Sequence, residues 1–354
     1  MSKKVEKTFK NLLISLFKNI FNRKKIEAIN KDEIKKVLIV RLDNRIGNLV
    51  MLTPLIEETA KLFKNIQLDV VISGKFHEVL NNNPYINKTY LYEHQKFIKN
   101  PFKWVNLINQ LRKNKYDLVF DASHPHSFSF SDALIANLSN PQFIIGFDRD
   151  NSCKFYNFSI KPNLNIHTIQ TLLQLLEPFD YKNDNLIFPK IYLSSELENF
   201  AYDFYEGNKL SNKKTVIIFP GAKEGKKWGI DNFINLHNSL LKLDKDLIII
   251  WILGPDENIY EEKIQNLNNC LITKNKSILE NAAIIKRANG FISGDTGPMH
   301  ISVAVGTPTF QIFLQTTDIR FGYNDNLKYF VLKSSNPNDI IYLISTKLKK
   351  LLYV

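Results

Sequence analysis

The fold is indicated most clearly by residues 290–308, which read Gly290-Phe-Ile-Ser-Gly-Asp-Thr-Gly-Pro-Met-His-Ile-Ser-Val-Ala-Val-Gly-Thr-Pro308. The apolar run 290–293 predicts a strand, and the small residues after it predict a tight turn. Pro298 predicts the start of a helix, because proline at a first helical position lacks only a donor that would be unpaired there. Asp295 or Thr296 can cap this helix. Its N-terminus is a potential anion site for a diphosphate, and the turn could hydrogen-bond a ribose.

A second candidate anion site lies upstream, at Phe219-Pro-Gly-Ala-Lys-Glu-Gly-Lys-Lys-Trp228. Gly221 follows a predicted strand and allows a phosphate to approach the backbone closely. Lys223, Lys226 and Lys227 follow in the same loop. A lysine beside a helix N-terminus can stabilise a departing nucleoside diphosphate without a metal ion. The alternative interpretation is a solvated lysine loop.

Short apolar runs alternate with helical periodicity along most of the chain, which predicts an α/β protein with parallel sheets. Strands are predicted at 37–41, 68–72, 88–92, 117–121, 142–145, 215–219, 247–253, 270–272, 290–293 and 309–313. Helices are predicted at 48–64, 101–114, 127–138, 231–243, 257–268, 277–288, 297–305 and 336–352. The pattern predicts two Rossmann-like, doubly wound domains over residues 36–205 and 206–354, preceded by an extension over residues 1–35. No Gly-x-Gly-x-x-Gly follows the first strand of either half, which argues against an oxidoreductase.

Composition and charge narrow the class of partner. The chain has 354 residues, 44% of them hydrophobic, and a formal net charge of +12. This charge predicts an acidic partner, such as a phosphorylated substrate, an anionic membrane or a nucleic acid, unless it reflects a generally lysine-rich composition. Nucleic acid is not favoured, because no helix-turn-helix or aromatic–basic RNA motif is present. Cys153 and Cys270 lie far apart without zinc-type spacing and fit a reducing compartment.

Residues 1–25 concentrate positive charge on a predicted amphipathic helix. This segment contains eight lysines and arginines but one acidic residue, Glu6. Apolar residues recur in it at helical spacing from Val5 to Ile20. Such a helix can lie in the plane of an anionic bilayer, or it can pack on the body of the protein. Its apolar run is too short to span a bilayer, and no cleavage signature follows it. We therefore expect a cytoplasmic protein that associates peripherally with the inner membrane.

Together, these motifs resemble glycosyltransferase family nine, the heptosyltransferases that build the lipopolysaccharide inner core. The resemblance rests on residues 219–228, on residues 295–308, and on the opening segment Val37-Leu-Ile-Val-Arg-Leu-Asp-Asn-Arg-Ile-Gly-Asn-Leu-Val-Met-Leu-Thr-Pro54. It implies the GT-B architecture, in which two Rossmann-like domains face each other across a cleft. It also implies inverting, metal-independent transfer of heptose from ADP-heptose to a lipid-linked, phosphate-bearing glycan. The open alternatives are another nucleotide sugar with a cell-surface glycan, or a family member that binds nucleotide or glycan without turnover.

The resemblance assigns the second half of the chain to the nucleotide-sugar donor. The implied donor-binding residues are Gly221, Ala222, Lys226, Lys227, Asp256, Asp295, Thr296, Gly297 and His300. Lys226 matches the family's phosphate-contacting lysine, which also makes it a catalytic candidate. Asp256 matches an acidic residue that contacts the ribose, although it could instead be a plain helix N-cap. His300 faces the ligand or is a satisfied helix histidine, and no cofactor is expected.

The first half is expected to bind the acceptor, and it departs from the family at the catalytic base. The family places an aspartate directly after a glycine in the first loop, where this chain has Gly47-Asn48. Asn48 has no useful basicity and cannot take a proton from a hydroxyl. Asp43, five residues earlier, is the candidate base in its place, unless it pairs with Arg41 or Arg45.

His124 and His126 follow the predicted strand 117–121, where ligands of α/β sheets bind. Histidine is the commonest general base near neutral pH, so both are candidate acceptor contacts, together with Arg45. A His-x-His pair can also suggest a metal ion. No third ligand is evident in the sequence, and no metal site is predicted.

Overall fold

The computed structural model describes residues 20–149, 152–183, 185–315 and 317–353. Within them the chain forms two parallel six-stranded sheets with helices, so the predicted pair of Rossmann-like folds is confirmed. Most of the predicted N-terminal amphipathic helix lies outside the described residues. Near the N-terminal end of the described residues, Arg23 donates from Nε to the Asn137 side chain at 3.2 Å, and Lys25 donates to the Tyr156 carbonyl at 2.9 Å.

The strands of both sheets follow the same order. The first sheet contains β1 (Lys36–Arg41), β2 (Gln67–Ser73), β3 (Lys88–Tyr92), β4 (Leu118–Asp121), β5 (Phe143–Phe147) and β6 (Phe158–Ile160). The second contains β7 (Thr215–Phe219), β8 (Ile248–Leu253), β9 (Cys270–Lys274), β10 (Gly290–Gly294), β11 (Thr309–Ile312) and β12 (Tyr329–Leu332). The orders are β3-β2-β1-β4-β5-β6 and β12-β11-β10-β7-β8-β9. Each sheet therefore has a switch point, at β1/β4 and at β7/β10, where ligands of such sheets bind.

The helices that follow β1 lie between these strands, except for α13, which comes after β12. They are α1 (Ile46–Val50), α2 (Thr53–Leu62), α3 (His94–Lys99), α4 (Pro101–Asn114), α5 (Phe130–Leu138), α6 (Thr168–Leu173), α7 (Ser195–Gly207), α8 (Ile230–Leu243), α9 (Glu261–Ile264), α10 (Ile278–Arg287), α11 (Gly297–Ala304), α12 (Asp318–Phe321) and α13 (Pro337–Tyr353). Short 3₁₀ segments lie at Lys31–Glu33, Gly74–Leu80, Ser152–Phe155, Gln174–Phe179 and Asn258–Tyr260.

Two predicted helices differ from the structure, and two strands were not predicted. The single helix predicted over 48–64 is two helices, because α1 ends at Val50 and α2 begins anew at Thr53 with a proline in its first turn. The helix predicted over 257–268 is reduced to a 3₁₀ turn and the four-residue α9. β6 and β12 had no predicted counterpart, since both are short strands at the edges of their sheets.

The inner strands are buried, which explains their continuous apolar sequences. In β1, residues 37–40 have no exposed surface, as expected for a parallel strand covered on both faces. In the second sheet, Trp251 of β8 packs with Phe233 and Leu236 of α8. His237 of the same helix accepts a hydrogen bond from Trp251 Nε1 at 3.1 Å and bonds the Asn268 carbonyl. These cores fix the strand ends from which the site loops leave.

The chain groups into two compact units. The first contains the described residues up to Asn44 together with Leu52–His77 and Asn83–Ile187, and the second contains Arg45–Met51, Glu78–Asn82 and the residues from Phe188 onward. The domain boundary at 205/206 stays a prediction. Among the described residues, no helix is both long enough and apolar enough to cross a bilayer.

Candidate functional site

The two anion-site motifs of the second half meet at the β7/β10 switch point. β7 ends at Phe219 and β10 ends at Gly294, and these strands are paired in parallel. A side chain placed at Gly294 would lie 3.7 Å from the Lys226 carbonyl oxygen and 3.9 Å from Cβ of Ala222. The loops that follow β7 and β10 are therefore neighbours, as the resemblance implied.

Lys226 and Asp295 form an ion pair across these two loops. The Lys226 ammonium donates to Asp295 Oδ2, which also accepts a hydrogen bond from Thr317 Oγ1 at 3.2 Å. The Lys226 side chain is 26% exposed and that of Asp295 only 10%. The carboxylate of Asp295 thus holds the lysine, and the predicted contact of Asp295 with a ligand stays a prediction. The pairing directs a partly accessible cation toward the start of α11.

The start of α11 is the backbone feature that the sequence predicts to bind an anion. Thr296 is the N-cap, in extended conformation, and Pro298 lies in the first turn, as predicted. The predicted side-chain cap is not formed, because Thr296 makes no capping hydrogen bond and Asp295 is bound to Lys226. The first-turn N–H groups are therefore not taken up by a side-chain cap, which suits a diphosphate oxygen.

The other lysine of the motif has a different environment. Lys227 makes an ion pair with Glu224 at 3.2 Å, and this contact raises the pKa of its ammonium. Both side chains are well exposed to solvent. The loop is also fastened by Gln315, whose amide donates to the Gly225 carbonyl at 2.9 Å. The geometry thus distinguishes Lys226, directed to α11, from Lys227, directed to solvent.

His300 is a buried neutral histidine. Its Nδ1 bonds the Tyr323 hydroxyl at 2.8 Å, and the ring is only 4% exposed. Burial lowers the pKa of His300 to about 4, so the imidazole is uncharged near neutral pH. A side chain on Gly47 would lie 2.5 Å from His300 Cδ2, so a larger residue there would press on the imidazole. His300 therefore joins α11 to α1, the helix that carries the buried Asn48.

An acidic residue missed by the sequence analysis, Glu257, lies beside the glycines that follow β7 and β8. Side chains placed at Gly221 and Gly254 would meet the Glu257 carboxylate at 2.3 and 2.5 Å. Glu257 is half-buried, and burial raises the pKa of its carboxyl. Asp256, the predicted ribose contact, is exposed instead. Glu257 is thus a second candidate for that role beside Asp256, and the acidic pair after Gly254 was the available signal.

The first unit has its own pocket, of about 860 Å³, at the carboxyl ends of β1 to β4. Its lining is polar and includes Leu42, Asp43, Asn44, Ser73, Gly74, Lys75, Tyr92, Glu93, His94, Gln95, Lys96, Ser123, His124, Ser127, Ser129, Ser131 and Asp132. It brings together Asp43 and His124 among the predicted residues. Arg45 and His126 are exposed and are not in this lining, although the His126 N–H donates to His124 Nδ1 at 3.2 Å.

Asp132 is a further pocket residue that no motif indicated. Its carboxylate accepts from the Leu42 N–H at 2.9 Å and from the Ser129 hydroxyl, so it fixes the chain just before Asp43. Burial, followed by repulsion from Asp121, raises the pKa of Asp132 to about 7. Behind it, Arg41 is buried, donates to the Ala122 carbonyl and is attracted by Asp43. Predicted pairing of Asp43 with Arg41 thus has an electrostatic basis.

Comparison with known proteins agrees with the family resemblance of the sequence motifs. The sequence model of glycosyltransferase family 9 (heptosyltransferase) matches residues 104–341. Lipopolysaccharide heptosyltransferase 1 of Campylobacter coli is 26% identical over 318 residues, covering 84% of this chain and 89% of the relative. Lipopolysaccharide heptosyltransferase 3 of Escherichia coli is 24% identical, covering 77% and 82%.

Solved structures of similar fold agree with the sheet topology. The glycosyl transferase family 9 protein from Veillonella parvula DSM 2008 superposes with a TM-score of 0.79 at 18% identity, covering 92% of this chain and 100% of that one. E. coli heptosyltransferase WaaC with ADP gives a TM-score of 0.70 at 16% identity, covering 88% and 99%. These likenesses show the GT-B fold.

Proposed function

Since the chain belongs to glycosyltransferase family 9, and is therefore a glycosyltransferase, we propose that it transfers a heptose from ADP-heptose to a lipopolysaccharide inner-core acceptor. The observation that carries the proposal is the Lys226–Asp295 pair beside the uncapped start of α11. This arrangement offers a cation and backbone N–H groups to a leaving diphosphate. Glu257, beside Gly221 and Gly254, supplies an acceptor for ribose hydroxyls.

The proposed reaction is a single inverting displacement. An acceptor hydroxyl oxygen bonds to the anomeric carbon, the bond from that carbon to the diphosphate oxygen breaks, and the hydroxyl proton passes to a carboxylate. The charge that develops on the leaving ADP is met by Lys226 and the start of α11. The chemistry needs no metal ion, because these groups supply the positive charge.

Asp43 is the proposed general base, since Asn48 holds the family's usual position without a basic atom. Asp43 lines the polar pocket with His124, and Asp132 fixes the preceding backbone. Lys75 and Lys96 on the same lining suit an anionic acceptor, which a phosphate-bearing glycan would be.

The test of Asp43 is a pair of variants. Asp43→Asn should reduce turnover by about 10²- to 10⁴-fold, the usual contribution of a general base, while ADP affinity stays unchanged. Turnover equal to the parent's would remove Asp43 from this role. If an aspartate at the family position can replace Asp43 as the base, Asn48→Asp in the Asp43→Asn background should restore turnover.

A second candidate function is favoured by Asn48 alone: a protein that binds nucleotide or glycan without transfer. Mass spectrometry separates the two. A Kdo-bearing lipid A acceptor incubated with the protein and ADP-heptose should gain the mass of one heptose. No gain together with intact ADP binding would indicate another sugar or acceptor, or a binding protein without turnover.

We further propose a cytoplasmic location with peripheral attachment to the anionic inner face of the membrane, where a lipid-linked acceptor is presented. Support comes from the net charge of +12 and from the basic amphipathic sequence of residues 1–25. Sedimentation of the protein with anionic vesicles, but not with neutral ones, would be expected.

A further inference from the structure

One stretch of the first unit is strongly basic and carries exposed apolar side chains. Between His94 and Tyr116 the sequence contains no aspartate or glutamate but six cationic residues, at Lys96, Lys99, Lys103, Arg112, Lys113 and Lys115. This stretch forms α3 and α4. We call the exposed residues Lys99, Phe102, Lys103 and Val105 the α3–α4 surface.

The apolar residues of this surface are exposed although α4 is well packed. The Asn100 side chain caps α4 by accepting from the Phe102 N–H at 3.1 Å, and Pro101 begins the helix. Leu107, Ile108 and Leu111 are buried in the core on the opposite face. Phe102 is nevertheless 83% exposed and Val105 is 47% exposed. They lie three residues apart, hence on one face of the helix.

The α3–α4 surface adjoins the polar pocket of the same unit. His94, Gln95 and Lys96 of α3 line that pocket, and Lys96 is paired with Glu93 at 2.6 Å. The next residues along the chain, from Lys99 onward, leave the pocket lining and form the exposed surface. A glycan in the pocket with an attached lipid therefore has a basic, partly apolar surface beside it.

We propose that the α3–α4 surface docks on an anionic lipid bilayer, with Phe102 and Val105 entering the headgroup boundary and Lys99 and Lys103 lying over lipid phosphates. The choice of a bilayer follows from charge complementarity, since lysines surround the apolar pair and no acidic side chain interrupts them. An aromatic ring flanked by lysines is suited to the interface between headgroups and acyl chains. The inference rests on the proposed function in so far as the acceptor is lipid-linked.

The test measures vesicle binding by the full chain without donor or acceptor. Vesicles of phosphatidylcholine with phosphatidylglycerol are compared with phosphatidylcholine alone, by sedimentation. The triple variant Lys99→Gln/Phe102→Ser/Lys103→Gln should bind anionic vesicles at least about tenfold more weakly than the parent, because each lysine near such a surface contributes roughly fivefold. These residues are outside the pocket lining, so transfer to a deacylated, water-soluble acceptor should be unchanged.

A matched control removes the same chemistry from α13. The variant Tyr342→Ser/Lys349→Gln/Lys350→Gln loses one exposed aromatic and two exposed lysines. It should bind vesicles within about twofold of the parent, because none of these residues belongs to the proposed docking surface. The charge reversal Lys99→Glu/Lys103→Glu, which keeps Phe102, provides a second variant and should weaken binding as well.

Three results would overturn the proposal. The first is equal vesicle binding by the triple variant and the parent, and the second is equal binding of the parent to neutral and anionic vesicles. The third is loss of self-association in the triple variant with vesicle binding retained, which would assign the surface to a second copy of the chain. Failure of heptose transfer by the parent on the soluble acceptor would instead count against the proposed function, because vesicle binding does not depend on turnover.

Discussion

Replacing Lys226 by methionine separates the donor site from the stability of the second unit. Methionine keeps the length and apolar stem of the side chain but removes the cation that binds Asp295 and faces the start of α11. Two effects are expected: ADP loses its charged partner, and Asp295 loses its ion pair while it remains about 90% buried.

Both magnitudes follow from these contacts. A charge-assisted hydrogen bond to a diphosphate contributes about 1.5–3 kcal/mol, so the Kd for ADP should rise about 10- to 100-fold. Breaking a fully buried ion pair costs about 3–5 kcal/mol. Because the Lys226 side chain is 26% exposed and Thr317 still donates to Asp295, a smaller loss of about 1–2 kcal/mol of unfolding free energy is expected here. For a unit of this size that lowers Tm by roughly 2–8 °C.

Calorimetric titration with ADP and thermal unfolding measure the two effects independently. The double variant Lys226→Met/Asp295→Asn should recover most of the lost Tm but none of the ADP affinity. The matched control is Lys227→Met, which removes only a solvent-exposed ion pair with Glu224, so ADP binding and Tm should stay near those of the parent. An ADP Kd for Lys226→Met within twofold of the parent would refute the assignment of Lys226 to the diphosphate.

Three further predictions concern α1, the buried histidine and the ribose contact. Gly47→Ala should lower the unfolding free energy by about 1–3 kcal/mol, because its methyl group meets the His300 ring. The control Gly207→Ala, where no atom lies within 4 Å of the added methyl group, should change the unfolding free energy little. Urea unfolding measures both variants, and an equal loss in the two would contradict the contact. Burial lowers the folded-state pKa of His300 to about 4. The stability that this group contributes is therefore present above pH 6.5 and is lost, by up to about 3 kcal/mol, as the pH falls from 6.5 to 4. His300→Gln should reduce the difference in unfolding free energy between pH 7 and pH 4.5. Glu257→Gln should weaken ADP binding about tenfold through the lost ribose hydrogen bond and Asp256→Asn by less than about twofold, and the reverse order would restore Asp256 as the ribose contact.

The donor half was predictable because its signals are local. The strand, turn and proline of residues 290–298 lie within one short segment and formed the expected β10 and α11. What the sequence could not give was the ion pair between Lys226 and Asp295. It depends on the parallel pairing of β7 with β10, which brings together loops 69 residues apart in the chain.

The pocket of the first unit was only partly predictable, for a similar reason. Asp43 and His124 follow strands and could be proposed from that position. Lys75 comes from the 3₁₀ segment after β2, His94 from α3 and Asp132 from α5, and no motif marks them. They meet because four parallel strands end at the same edge of the sheet. Such convergence follows from topology and not from local sequence.

The choice between Asp256 and Glu257 shows a finer limit. Both are acidic and both follow Gly254. The turn after β8 decides which of the two lies beside Gly221 and Gly254. In this turn the Glu257 N–H donates to the Gly254 carbonyl at 3.0 Å. The sequence does not specify the turn type and therefore does not distinguish the two residues.

The contact between Gly47 and His300 has a consequence for synthesis of the chain. The two residues are 253 positions apart (300 minus 47), and Leu49 and Val50 of the same helix are buried in the finished protein. At about 5–20 residues per second, a ribosome needs roughly 10–50 s to add the intervening chain. During that interval the apolar side of α1 has no native partner on α11. A nascent chain stalled before residue 300 should therefore be a preferred client for chaperones that bind short apolar helices.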